Sequence, residues 1–544
     1  MRRAVTALAA AALAVGMLST PAQAYESSHS QFESDWDDPT TAVRPLTEPS
    51  TESCTVNIVD DQYFDDSVHS STYVPPKDCA GEWSKVVLEL EGASQGSQAE
   101  RMGTVAIDDV PVFKTSTPKP SASGIEWEAE KDVTPYASLL RSDADVTSTV
   151  TPIGDNDPAI MGSLVLKVSL TFYKTDEKHP APDAADTVTG LSDADLSDGG
   201  TTISLPRNSR RLVADVYATT EGNHCEKAWY ARSAKTGHDC DTADGPYREI
   251  QVLLDGEIAG IASPYPHVSA GGFDNQYLWN TLPAPRTFNV RPITVDLTPY
   301  LAILNDGKQH NISIRVAGMS VKDYGWSTPA SLRSWQDEGA KVVTGGILKS
   351  QTSKRLAQQE TSHTSQSETA QLYASREHSV SGWLSTSNGE VMTTIERSVS
   401  HGAKQTWPKG KDSDSLKSRW HDVETKTVTS DAGNTASRTI DSVYELKGTT
   451  GVTDGRVESD VSVSDATTIE FGNQAGNTNR YTRSHTYQGE ASWNRDVPVL
   501  ERDAKGTSKQ RYKLGGEWAC YDRSIETVNG RITKERDHCG HVDK

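Results

Sequence analysis

Two short segments set a carboxylate beside an arginine at the head of an extended stretch. Glu100-Arg101 follows a Gly/Ser/Gln loop at 92–99 and leads into Val105 and Ile107. Asp244-Gly245-Pro246-Tyr247-Arg248-Glu249 is a turn that runs straight into alternating apolar residues. A carboxylate can take a proton from water, and an arginine can hold a developing oxyanion or clamp a substrate, so such pairs suit hydrolysis of an unreactive bond. Adjacent residues on a strand point to opposite faces, so in each pair one member serves the core side and the other a cleft. The plainer reading of each pair is a surface salt bridge worth under about 1 kcal/mol. On that reading Glu249 pairs with Arg248, and Asp244 is a turn former before Gly245.

Other chemistries lack their motifs. The sequence has no HExxH, no GxSxG, no Walker loop and no GxGxxG after a strand, which sets aside zincins, α/β-hydrolases and nucleotide enzymes. Six cysteines, Cys54, Cys79, Cys225, Cys240, Cys520 and Cys539, fall in three pairs that are close in sequence. The simplest of the possible connectivities joins neighbours: Cys54/Cys79, Cys225/Cys240 and Cys520/Cys539. A zinc site from His224, Cys225, His238 and Cys240 is the rival, but the spacing matches no ordinary zinc module, so no metal is expected.

The elements that position these residues are strands. In 83–91, Val86, Leu88 and Leu90 share one side; in 163–173, Leu164, Leu166, Val168, Leu170 and Phe172 do the same. This period of two marks half-buried strands, and it recurs at 212–219, 247–254 and 311–316. Asp132-Val133-Thr134-Pro135-Tyr136 reappears as Asp296-Leu297-Thr298-Pro299-Tyr300, each time after an extended segment. Thr as N-cap with Pro at the first helical position predicts one short helical turn that closes the same corner twice. The fold class is therefore all-β: two tandem jelly-roll-like antiparallel β-sandwich domains, 51–178 and 200–322, and a C-terminal β-rich domain, 331–544. Residues 25–50 read as a linker or loosely attached arm, and 179–199 as a linker. Disorder in part of 350–370 competes with strand.

The chain has 544 residues and a formal net charge of -21. That charge argues against nucleic acid and anionic lipid as partners. Arg2 and Arg3, the apolar run 4–18 and Ala22-Gln23-Ala24 form a secretory signal pattern at 1–24, with cleavage expected near Ala24/Tyr25. No later stretch reaches the length a bilayer needs, so the protein reads as secreted and soluble.

At the acid–arginine steps the sequence resembles the peptide-N-glycosidase A family. The matching residues include 83–92, Glu100-Arg101, Thr115-Ser116-Thr117, Gly124-Ile125-Glu126-Trp127, Gly245-Pro246-Tyr247-Arg248-Glu249, Pro264-Tyr265-Pro266, 304–310 and Cys520-Tyr521-Asp522-Arg523. The resemblance implies a peptide-N4-(N-acetyl-β-glucosaminyl)asparagine amidase without cofactor. Such an enzyme takes an N-glycopeptide or N-glycoprotein, cuts the bond from the asparagine side chain to the innermost N-acetylglucosamine, and leaves aspartate. Two jelly rolls with the active site between them are implied as well. On this basis Glu100 is the candidate base and Arg101 its orienter or substrate clamp. The family usually has Asp before that Arg, so the carboxylate here is displaced by about a bond length. Asp244 and Glu249 remain alternatives for the second acid. Trp229, Tyr230 and Trp279 would stack on sugar rings or pack in a core, and His267 would line the same rim or be structural. A glycan-binding protein with a decayed site, or an endo-β-N-acetylglucosaminidase, are the competing functions.

Overall fold

The computed structural model describes residues 36–63, 68–95, 101–118, 123–151, 163–191, 199–220, 225–231, 244–268, 281–319, 325–474, 476, 478–498, 501–516 and 520–539. The signal segment 1–24 with its Ala24/Tyr25 junction, Glu100, Trp279 and Cys240 lie outside these residues, as does the Cys225 side chain.

The first sandwich contains β1 (Ser53–Tyr63), β2 (Val68–Tyr73), β3 (Trp83–Gln95), β4 (Met102–Ile107), β5 (Val110–Ser116), β6 (Ile125–Asp132), β7 (Ala144–Val150) and β8 (Ser163–Lys174). Its sheets run β1-β8-β3-β6 and β2-β7-β4-β5, the strand order of a jelly roll. The alternating residues read from the sequence fill its core: Val86, Leu88, Leu90, Leu164, Leu166, Val168, Leu170 and Phe172 are all buried together.

The second sandwich repeats that order. It contains β9 (Thr187–Leu191), β10 (Thr201–Ile203), β11 (Ser209–Val216), the two-residue β12 (Thr219–Thr220), β13 (Glu249–Leu254), β14 (Glu257–Ala262), β15 (Ile293–Asp296), β16 (His310–Ala317), the two-residue β17 (Trp326–Ser327) and β18 (Ala330–Gln336). Its sheets are β9-β18-β11-β15 and β10-β16-β13-β14, with β12 and β17 paired beside them. Strand β9 lies inside 179–199, read above as a linker, and β18 lies beyond 322. The sandwich needs both to complete its sheet, because β18 pairs with β9 on one side and β11 on the other.

The Thr-Pro-Tyr repeat stands at the same corner of both sandwiches. Val133 N donates to Val86 O at 3.0 Å, and Leu297 N donates to Leu212 O at 2.9 Å. Thr134 Oγ1 accepts from Val86 N at 2.9 Å, and Thr298 Oγ1 accepts from Leu212 N at 3.2 Å. The threonine is thus not the N-cap. Val133 and Leu297 hold that place without a side-chain cap bond, and each threonine hydroxyl ties the helical turn to a central strand. The hairpin β4–β5 turns on Asp108-Asp109 (φ 47° and 63°), and β13–β14 turns on Asp255-Gly256 (φ 50° and 85°). These left-handed pairs suit the tight turns that match strand twist.

Beyond the sandwiches the chain forms one long meander: β19 (Thr344–Thr352), β20 (Leu356–His363), β21 (Ser367–Thr386), β22 (Gly389–Pro408), β23 (Asp412–Ser430), β24 (Thr435–Thr453), β25 (Arg456–Asn473), β26 (Thr478–Asn494), β27 (Lys505–Gly515), β28 (Tyr521–Val528) and β29 (Arg531–Asp537). They join in one antiparallel sheet in which β19 and β20 both pair with β21. The 350–370 stretch is therefore strand rather than disordered chain. The inner face of the sheet packs on the second sandwich through Val380, Leu384 and Ile395. Next to that, Leu416, Trp420, Tyr444, Val461 and Tyr487 pack on Trp229, Tyr265 and Leu282.

Residues 36–50 are not a loose arm. Trp36 and Ala42 are buried, Thr40 N donates to Thr281 O at 2.9 Å, and Leu46 N donates to Glu130 Oε2 at 2.9 Å. The segment straps the C-terminal sheet to the first sandwich. Gly530, in the β28–β29 turn, lies so close that a Cβ there would stand 2.5 Å from the Trp36 ring. Disulfides join Cys54 to Cys79 and Cys520 to Cys539, as the neighbour pairing predicts; the third pair falls outside the described residues. Among the described residues no helix is long and apolar enough to cross a membrane.

Candidate active site

In each jelly roll the connections β3–β4, β5–β6 and β7–β8, or β11–β13, β14–β15 and β16–β18, emerge at one end. The registers show it: the start of β4 lies beside the ends of β5 and β7, and the start of β13 beside the ends of β14 and β16. Of the described candidates, Arg101 and the 244–249 turn belong to these ends, as do Trp229, Tyr230 and His267 in the β11–β13 and β14–β15 connections. The two ends meet along β5, where Ser116 N donates to Thr287 O at 3.0 Å and Val290 N to Lys114 O at 3.0 Å. Lys114, almost fully buried, donates from Nζ to Ser327 Oγ at 3.2 Å.

Arg101 is the residue just before β4 and is 2% exposed. Its N–H donates to Thr117 Oγ1 at 2.9 Å and its Nε donates to Thr151 O at 2.8 Å. Three loop ends are thereby pinned at the residue adjoining Glu100.

Arg248 is the residue just before β13 and is equally buried. It donates from Nε and Nη2 to Glu226 Oε2 and Oε1 at 2.6 and 2.5 Å, and from Nη1 to Gly245 O and Tyr247 O at 3.0 and 2.6 Å. Trp326 Nε1 adds a bond of 2.7 Å to Glu226 Oε2. The forked guanidinium matches the carboxylate in both bonds and fixes the turn that carries Asp244.

The two acids considered for the far side differ sharply. Glu249 is buried, accepting from Tyr247 Oη at 2.5 Å, Gln251 Nε2 at 2.5 Å and Arg376 Nη1 at 3.0 Å. Burial, then the Glu249 charge, pushes the Tyr247 hydroxyl far above its ordinary pKa, so it stays a donor. Asp244 keeps 29% of its side chain exposed and accepts from Arg355 Nη2 at 2.6 Å. The pairing of Glu249 is thus with Arg376 of the C-terminal sheet and not with Arg248.

Trp229 and Tyr230 sit in the short helical turn Cys225–Ala231 and are buried. The Trp229 ring lies 5.5 to 5.9 Å from those of Tyr230, Trp326 and Trp420, and His401 stacks on Trp420 at 4.4 Å. Both side chains are packed in one buried cluster with Trp420 and Tyr444. His267 is half-buried, edge-on to Tyr265 at 5.0 Å. Burial first, then the charges of Arg286 and Lys114, pushes its pKa down to about 3, so its imidazole is neutral near neutral pH.

Sequence reasoning missed Glu226, Trp326 and Lys114. The first two come together with Arg248 only in the fold. Lys114 carried a signal, a lysine directly after the apolar run 110–113. Among the described residues no group of three or more His, Cys, Asp or Glu side chains is placed to hold a metal ion.

Fold and site define a protein of two jelly rolls that meet at the loop ends next to Arg101 and Arg248, backed by one broad sheet. The chain belongs to the family described as peptide N-acetyl-β-D-glucosaminyl asparaginase amidase A, whose model matches residues 45–353, more than half of the chain. It is 26% identical over 386 residues to the peptide-N4-(N-acetyl-β-glucosaminyl)asparagine amidase A of Prunus dulcis. That likeness covers 64% of this chain, which spans 66% of the length of the relative. The family match takes in both sandwiches and β19 and stops before β20.

Proposed function

We propose that the protein is a secreted amidase that hydrolyses the bond between an asparagine side chain and the innermost N-acetylglucosamine of an N-glycopeptide or N-glycoprotein. The observation that carries this reading is the buried Arg101, pinned at the loop end of the first jelly roll that meets the second, in a chain of the amidase A family. The side-chain amide resists water, so attack needs a base. Glu100 takes a proton from water, and the oxygen bonds to the asparagine Cγ. Arg101 steadies the oxyanion that forms. Nitrogen leaves with the sugar as a glycosylamine, the peptide keeps aspartate, and the glycosylamine later loses ammonia. Of the two alternative acids, Asp244 is the one with a side chain open to a substrate, so it is assigned to proton delivery. Glu249 is assigned to anchoring the loop. Secretion rests on the basic and apolar pattern at 1–24.

Purified mature protein incubated with a defined glycopeptide tests the reading. Released glycan with both core N-acetylglucosamines, together with an equal amount of ammonia, is expected. Glycan ending in a single N-acetylglucosamine indicates a glycosidase, for which two carboxylates roughly 5 to 9.5 Å apart would be needed. Bound but intact substrate indicates a lectin-like protein.

A further inference from the structure

The outer face of the C-terminal sheet, turned away from the sandwiches, carries an arrangement that sheet stability disfavours. Lys404 on β22 stands directly opposite Lys417 on β23, and Lys417 directly opposite Lys447 on β24. Neighbouring strands lie about 4.8 Å apart, and like charges directly opposite one another destabilise a sheet. These strands are paired on both sides, so protection of a sheet edge does not account for the lysines. All three are exposed, and neither Lys404 nor Lys417 forms an ion pair with a described residue.

One row along, Tyr373 on β21 lies opposite Gly402, and Gly402 opposite Arg419. Tyr373 is 49% exposed, and nothing stands within 4 Å of where a Cβ would be at Gly402. A flat ring therefore borders an open step, with Lys404 on the next strand, Arg419 and Lys417 on the one after and Lys447 on the third. Of the acids on this face, Glu445 pairs with Arg419 at 3.0 Å and Lys447 at 3.4 Å, Glu360 lies opposite Gln371 at the far end of the lysine row, Asp460 lies opposite Thr449 and Glu490 one row beyond Lys447, and Glu377 lies four residues along β21 from Tyr373.

We propose that this patch is a docking site for acidic oligosaccharides, one sugar ring lying on Tyr373 over Gly402 and its neighbours' carboxylates or sulfates meeting Lys404, Lys417 and Lys447. A ring face on an aromatic and anions on a cation row use both features at once. A continuous polyanion such as nucleic acid is disfavoured by the net charge of -21, whereas a glycan with few charges engages the patch alone. The choice of a carbohydrate rests on the amidase reading; the patch itself does not.

Fluorescence polarisation tests this with the full chain, using a labelled biantennary N-glycan capped by sialic acid and the same glycan with its sialic acids removed. The capped glycan is expected to bind, and the uncapped one to bind more weakly. Tyr373→Ala and the double change Lys404→Gln/Lys417→Gln should each weaken capped-glycan binding about tenfold, with added salt acting in the same direction. Tyr373→Phe should retain it, and cleavage of a neutral glycopeptide should be unchanged in every variant. Equal affinity across wild type and variants overturns the proposal. So does equal competition by polyglutamate or double-stranded DNA, which would make the patch an unselective anion surface. Protein that binds the capped glycan but cleaves nothing supports the docking site and sinks the amidase reading instead.

Discussion

Arg101 and Arg248 occupy one position of the fold in its two copies. Each is the buried residue immediately before a strand, β4 or β13, that lies between its hairpin partner and a third strand of the same jelly-roll sheet. Among the described contacts, Arg101 bonds from its N–H to Thr117 Oγ1 and from Nε to Thr151 O, and Arg248 bonds to the carboxylate of Glu226. The duplicated frame thus yields one arginine beside the proposed base and one arginine that holds the turn carrying Asp244.

Removing the partner of Arg248 should be costly. Glu226→Gln leaves a buried guanidinium without its charge partner, and such losses run to about 3–5 kcal/mol. Denaturant unfolding should show a marked drop in stability for Glu226→Gln and for Arg248→Met. A change under about 1 kcal/mol in both would mean that the pair does not hold the turn.

The two far-side acids should separate by what they damage. Asp244→Asn should lower kcat with little change in the unfolding midpoint, whereas Glu249→Gln should lower the midpoint, since it loosens Arg376 and Tyr247. The opposite pattern would exchange the assignments.

Loss of the base should remove turnover. Glu100→Gln is expected to reduce kcat by about 10²–10⁴-fold with KM nearly unchanged, and Glu100→Asp, which restores the usual residue of the family, should raise kcat above wild type. Unchanged kcat in Glu100→Gln contradicts the role.

Acid should weaken the packing of the C-terminal sheet on the sandwiches. Burial holds His401 and His485 down to about 3, with Arg248 adding to the effect at His401. An unfolded histidine takes up its proton near 6.5, so the unfolded state binds more protons between about 6.5 and about 3. Stability present above that window is lost as pH falls through it, by about 1.4 kcal/mol per unit for each histidine. Asp465 acts lower: burial alone would raise its pKa, but Arg286 and Arg291 outweigh this and hold it far below the usual range. Its contribution is therefore lost only below the ordinary aspartate pKa. Thermal unfolding from pH 7 to 4 should show a slope that His401→Phe reduces; an identical slope in that variant would exclude His401.

Much of the frame was legible because it obeys local rules. The period of two in β3 and β8 and the twice-written Thr-Pro-Tyr corner point to tandem jelly rolls from the sequence alone. The C-terminal sheet was less legible, since its inner face is built partly from ion pairs. Arg397 bonds Asp422 at 2.8 and 2.9 Å and Glu424 at 3.1 Å, so the apolar alternation that marks a buried face is broken there. The strap at 36–50 is polar in composition and is buried only through contacts with distant strands. The packing of Trp229 against Trp420 was not legible, since Trp420 lies nearly two hundred residues further along the chain.

The most direct test of the amidase assignment is the mass of the peptide left after incubating a glycopeptide in ¹⁸O-labelled water. The account predicts a sugar-free peptide with aspartate in place of asparagine and one heavy oxygen in that side chain. A peptide that still carries one N-acetylglucosamine on an intact asparagine would contradict it.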